Sequence, residues 1–169
     1  MQALSGRSQL LVLTSIWPFQ QLAEHLGRCL EARNGGYLGL LRYYDPRVFP
    51  LLFSHVLEPD QQEMLLGPAM FWSWLDREGA PKRIAGRAER PERFDRFSPI
   101  ELSDAQLDVL CCASDATLAM EHLSEAFPLE WSVEQRFQFC YAAMIDATEA
   151  GLLLAPQREA FIRERLCNA

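Results

Sequence analysis

Lysine is almost absent from this chain: Lys82 stands alone against fifteen arginines. Basic groups of that kind favour planar, bidentate contacts with carboxylates over diffuse attraction. Histidine is scarce, and His25, His55 and His122 show no HxxxH spacing. With no CxxC either, the ligand pattern of a zinc site is missing. The five cysteines (Cys29, Cys111, Cys112, Cys140 and Cys167) are odd in number, which argues against a disulfide framework. Cys29, Cys111 and Cys140 fall on apolar faces of expected helices, where a free thiol acts as a small hydrophobe. Adjacent Cys111 and Cys112 point in different directions on a helix and make no metal pair. No apolar run reaches the roughly 20 residues of a membrane-spanning helix. Leu10-Leu11-Val12-Leu13 is too short and too poorly flanked for a secretion signal. A soluble, cytoplasmic chain without a cofactor is the expectation. Catalytic signatures are wanting too. Asn34-Gly35-Gly36 precedes a strand, whereas a phosphate cradle leads into a helix. Ser73 and Ser98 lack the G-x-S-x-G context of an activated serine. There is no internal repeat and no low-complexity segment.

What is present is apolar surface. Hydrophobic residues make up 49% of the 169, and aromatics 11%, enough for a substantial core and for one domain, with or without a small appendage. The net charge of −7 is uneven. Residues 1–96 carry 12 basic and 11 acidic side chains, and residues 97–169 carry 4 and 12. So acidic a chain is a poor candidate for binding nucleic acid.

Gln9 to Thr14 reads as a short buried strand. Phe19 to Arg33 has helix spacing, with Phe19, Leu22, Leu26, Cys29 and Leu30 on one face. Asn34-Gly35-Gly36 stops that helix, and Tyr37 to Tyr43 follows as a strand. The hexapeptide Arg42-Tyr43-Tyr44-Asp45-Pro46-Arg47 then opens a helix from Pro46 to Leu57. The Asp45 carboxylate can accept first-turn amide hydrogens, and Pro46 suits the first helical position. That helix is apolar nearly all round, so both faces are expected to be covered. Glu58-Pro59-Asp60 starts a short helix to Leu66, and Ala69 to Leu75 alternates as a third strand. Residues 79–99, rich in proline and arginine, read as a linker or exposed hairpin. Ser103-x-x-Gln106 and Ser132-x-x-Gln135 are capping boxes. The first introduces a helix with Leu107, Leu110, Cys111, Ser114 and Leu118 on one face. The second introduces Val133, Phe137, Cys140, Tyr141, Met144 and Thr148 and ends at Gly151, and a last helix spans Pro156 to Leu166. The fold class is therefore α+β. An α/β lobe with a small mixed sheet and packed helices (1–80) leads through an arginine-rich connector (81–100) to a helical lobe (101–169).

Asp45 between Arg42 and Arg47 fits a catalytic acid with two anion binders, or a helix cap braced by arginine. The second is favoured, because no neighbouring nucleophile or base is present. The stretch with Arg83, Arg87, Arg90, Arg93 and Arg96 fits a solvated loop paired with its own acids or with the acidic C-terminal half. Docking of an acidic protein and binding of nucleic acid are its other readings. Trp72 and Trp74 share a strand face and fit the core, or an interface, where tryptophan is enriched. The three histidines read as structural or exposed.

The stretch from Leu22 to Gly79 resembles the type VI secretion effector-adaptor family, often called Tap or Tec chaperones. The matching features are Leu22-x3-Leu26-x3-Leu30, then Leu41-Arg42-Tyr43-Tyr44-Asp45-Pro46-Arg47-Val48 and Leu51-Leu52. A Leu66-Gly67-Pro68 turn and the strand with Trp72 and Trp74 complete them. Only 18 residues precede the first matched helix, fewer than in the family, so a shortened N-terminal lobe is expected. The resemblance implies a cytoplasmic adaptor, not an enzyme. Its partners would be a toxic effector and the spike (valine–glycine repeat) protein, with no nucleic acid, membrane or small-molecule substrate. The motif residues Arg42, Tyr44, Asp45, Pro46 and Arg47 would be structural with interface contacts. Trp72, Trp74, Arg83, Arg87, Arg90 and Arg93 are the further partner-binding candidates. Competing classes are a small acidic immunity protein that inhibits a toxin, and a hydrolase using Asp45.

Overall fold

Asn34-Gly35-Gly36 does more than end a helix; it reverses a strand. In the computed structural model, which describes residues 10–94 and 98–168, helix α1 (Phe19–Arg28) closes five residues before the expected Arg33. Glu31–Asn34 forms β2, which pairs antiparallel with β3 (Tyr37–Leu40). Gly35 and Gly36 lie at φ 52° and 91°, the doubly left-handed turn whose twist suits a two-residue hairpin. The face of α1 is also corrected. His25 and Cys29 are buried, Leu22 and Leu26 half-buried, and Phe19 is fully exposed to solvent.

Strand β1 (Leu11–Ser15) pairs antiparallel with β4 (Ala69–Leu75), and β4 pairs antiparallel with β5 (Pro81–Ala85), giving a sheet of order β1-β4-β5. Gln9, where the first strand was expected to begin, lies outside the described residues, as does Arg96. The second sheet has the order β3-β2-β6 and is mixed, because β6 (Ile100–Glu101) runs parallel to β2. The fold is thus α+β, with two three-stranded sheets in place of one small sheet.

The segment after Asp45 starts its helix later than the sequence suggests. Pro46 to Val48 form a turn, helix α2 covers Phe49–Leu51, and a π-helical turn continues over Leu52–Val56. Phe49, Leu51, Leu52, Val56 and Leu57 are all buried, so the all-round apolar pattern does report burial on both faces. Helix α3 (Pro59–Leu66) follows, its start secured by reciprocal bonds between Glu58 and Gln61.

Residues 81–94 and 98–100, within the stretch expected as a connector, fall in the first compact unit, which extends to Asp104. Beyond β5, the amides of Gly86, Arg87, Ala88 and Glu89 donate to the carbonyls of Met70, Leu66, Ala69 and Gly67 at 2.7–2.9 Å. Gly86 is required there: a Cβ would stand 2.1 Å from the Ala69 carbonyl oxygen. Proline and arginine disguise this segment as a linker, yet its backbone is consumed by β4 and its neighbours.

The second unit, Ala105–Ala169, is helical. Helix α4 (Asp104–His122) buries Cys112, Ala116, Ala119 and then Leu123 beyond its end. Cys111 and Leu118, expected inward, are exposed; the small side chains one position away form the buried stripe instead. Helix α5 (Val133–Glu149) begins with the expected capping box, since Gln135 N donates to Ser132 Oγ (3.1 Å) and Ser132 N to Gln135 Oε1 (2.8 Å). It ends with Gly151 at φ 73°, where Gly151 N donates to Thr148 O and Leu152 N to Ala147 O, a Schellman closure. Phe137, Cys140, Tyr141 and Met144 are buried as expected. Helix α6 (Ala155–Cys167) is tied back by Arg158, whose guanidinium pairs with Asp115 and donates to Met144 O (3.0 Å) and Thr148 Oγ1 (2.5 Å).

Candidate interaction surface

The hexapeptide is a brace anchored at three points. Tyr43 is buried and its hydroxyl donates to the Leu26 carbonyl at 2.9 Å, fixing the motif to α1. Asp45 is buried, and its Oδ1 accepts from both the backbone N and the Nε of Arg47 at 3.0 Å. Its Oδ2 accepts from Arg47 Nη2 at 2.7 Å, completing a bidentate pair. The Asp45 carbonyl then receives the amides of Val48 and Phe49. Hydrogen bonding from Arg47 holds the Asp45 carboxyl below its ordinary range, more strongly than burial raises it. A carboxylate kept ionised and occupied in this way holds a turn; a general acid needs the opposite shift.

Phe49 then links the motif to the first sheet. Its ring lies 5.0 Å from Trp72, 5.5 Å from Trp74 and 4.8 Å from Phe53, at tilted or edge angles. Trp72 is buried and donates to the Leu65 carbonyl at 2.9 Å, so it is core and presents nothing to a partner. Trp74 is half-buried on the same cluster. Of the motif residues, Arg42, Tyr44 and Arg47 are exposed, with the Arg42 guanidinium 5.9 Å from the centre of the Tyr44 ring.

The arginines of residues 82–93 mostly serve their own unit. Arg87 pairs with Glu63, Arg93 with Glu89, and Arg83 lies over the Phe71 ring at 5.5 Å. Arg90 is exposed. Glu63 Oε1 and Glu89 Oε2 are buried without a hydrogen-bond partner among the described residues. Burial, and then the neighbouring Glu89, push the Glu63 carboxyl upward.

His25 and Cys29, one helical turn apart, approach to 3.5 Å, a spacing that invites comparison with a nucleophile and its base. The environment argues otherwise. His25 Nε2 contacts the Met64 carbonyl at 2.7 Å, which fixes that nitrogen as the donor. Burial lowers its proton affinity. Cys29 has no exposed surface, and burial pushes its thiol up to about 12, so the reactive thiolate does not form near neutrality. Among the described residues, no group of three or more His, Cys, Asp and Glu is placed to hold a metal ion, and no helix is long and apolar enough to cross a membrane.

Two surfaces among the described residues combine apolar side chains with a defined shape or an open edge. In the helical unit, a cavity of about 190 Å³ is lined by Leu118, His122, Met144 and Leu153, with Asp115 and Arg158 among its polar walls. In the first unit, every residue of β3 is exposed. Sequence reading missed the second surface because it took Tyr37 to Tyr43 as one strand and Glu31 to Arg33 as the end of a helix. The available signal was Gly35-Gly36, a dipeptide suited to a two-residue hairpin turn.

A family model described as a domain of unknown function, DUF4123, matches residues 1–63. The match takes in the hexapeptide and reaches into α3. No curated protein and no solved structure matches the chain.

Proposed function

We propose that the chain is a non-enzymatic adaptor that binds a type VI secretion effector in the bacterial cytoplasm and helps load it onto the secreted spike. The observation that carries this reading is the fate of Asp45: its carboxylate is ionised and engaged on both oxygens by Arg47, inside a brace that orders a scaffold. The match of residues 1–63 to DUF4123, a family associated with effector adaptors, supports it, as does the wider resemblance from Leu22 to Gly79. Exposed apolar residues flank the brace, and protein interfaces are built from such surface. Binding would stabilise the effector by mass action, since a partner that takes only the folded form shifts the folding equilibrium.

Co-purification tests this reading, using the full chain with effector and spike proteins of a type VI secretion system from the same bacterium. An adaptor forms a complex in which the toxin keeps its activity. An immunity protein forms one in which that activity is abolished, and a hydrolase shows turnover that Asp45→Asn removes. Failure to bind either protein would overturn the proposal.

A further inference from the structure

The hairpin register decides which backbone groups of β3 are occupied. Asn34 and Tyr37 close a two-residue turn, so they exchange hydrogen bonds, as do Ala32 and Gly39. Leu41 N donates to Leu30 O at 2.8 Å and continues the same alternation. Leu38 and Leu40 are therefore the residues whose N–H and C=O point away from β2, into an edge that no described strand covers. Their side chains are also bare: Tyr37 is 81% exposed, Leu38 69% and Leu40 61%. Proteins usually blunt such edges with charge, proline or a bulge, and this strand has none of the three.

From this geometry we infer that β3 is a docking edge that takes an extended segment of the partner protein as a fourth strand of the β3-β2-β6 sheet. The inference rests on the adaptor reading and names the place and manner of capture. Main-chain bonds to Leu38 and Leu40 supply the pairing, and alternate side chains of the incoming strand supply the selectivity. Apolar side chains opposite Leu38 and Leu40 fit this edge. A carboxylate beyond the Leu40 end fits too, because Arg42 follows two residues after Leu40. Its guanidinium has no ion-pair partner among the described residues. A second copy of the chain suits the edge poorly. Self-pairing of a four-residue strand buries far less than the roughly 1,200 Å² of a stable interface, so the occupant belongs to a larger partner with contacts of its own.

Amide hydrogen exchange of the full chain, alone and with a type VI effector or spike protein from the same bacterium, tests this directly. In the free protein the Leu38 and Leu40 amides exchange freely while Gly39 and Leu41 are protected. In the complex, Leu38 and Leu40 slow at least tenfold, and the double variant Leu38→Lys/Leu40→Lys binds at least tenfold more weakly while keeping the parent's circular dichroism and melting temperature. A complex that forms with both amides still open, or that ignores the double variant, overturns strand addition and leaves the adaptor reading standing. No complex with either protein overturns both. Protection of the two amides in the isolated monomer assigns the edge to the chain itself, and protection that grows with protein concentration assigns it to a second copy; either result overturns the inference.

Discussion

The two units are held together by different means. The first, residues 1–104, carries 12 basic and 13 acidic side chains and is locked by backbone pairing between segments distant in sequence. Its aromatic rings gather around Phe49. The second, residues 105–169, carries 4 basic and 10 acidic side chains, and its helices close over a stripe of small side chains and one half-buried arginine. In the first unit a local error of backbone geometry has nowhere to go, because Gly86 and its neighbours are bonded through β4. In the second, helices tolerate side-chain adjustment and the vulnerable point is electrostatic. Cohesion by main chain leaves an edge over; cohesion by side chain leaves a groove.

The largest effect is expected from the backbone of the first unit. Gly86→Ala drives a Cβ into the Ala69 carbonyl and should cost about 3 kcal/mol or more. Gly39→Ala, whose Cβ would meet only the Ala32 oxygen at 3.9 Å, should change stability by less than about 1 kcal/mol. Urea denaturation followed by tryptophan fluorescence separates the two, and equal losses would contradict the contrast. Next is the electrostatic tie of the helical unit. Arg158→Met strips the donors from Asp115, Met144 and Thr148 and should cost about 2 kcal/mol, read as a drop in the helical melting temperature.

Asp45→Asn should cost less, about 1 kcal/mol. The amide oxygen still accepts from the Arg47 backbone, and the lost ion pair is with a half-exposed guanidinium that solvent already screens. A loss as large as that of Gly86→Ala would mean the brace carries the unit rather than ordering one turn. The smallest effect is with pH. Burial lowers the folded-state affinity of His25 for protons below its ordinary value of 6.5, so the unfolded chain binds more protons just below that pH. Stability from this group is present above about 6.5 and lost as pH falls below it. His55 shifts in the same direction, by burial. Glu63, raised above its ordinary 4.5, works in the opposite sense: its contribution is present below 4.5 and lost as pH rises. In Glu63→Gln protein, stability should therefore fall from pH 6.5 to 5.5, and adding His25→Gln should flatten that slope.

Much of this could be read from residue order. The capping box at Ser132 and Gln135, the Gly151 stop, the aromatic strand Ala69–Leu75 and the all-round apolar segment after Asp45 are local patterns with local causes. Errors clustered where a distant partner decides. Glu31 to Arg33 was expected to extend a helix but pairs with β3 and β6. Residues 86–89 look like a linker until their amides meet β4 and the end of α3. On α4 the larger apolar residues suggested the buried face, yet Cys112, Ala116 and Ala119 face inward, where close approach favours small side chains. The partner candidates divided in the same way, with Trp72 buried, Arg87 and Arg93 paired internally, and Arg42, Tyr44 and Arg90 left at the surface.

Sequence by itself determined the capping box at Ser132 and Gln135, the Gly151 stop and the α+β class, because those depend on residues within a turn or two of one another. Tertiary structure alone decided that two sheets form, that Arg158 ties three helices, and that the amides of Leu38 and Leu40 face an open edge. Those features depend on which strand or helix lies alongside, and neighbours in space are set by the whole chain's packing, which no short window of residues contains.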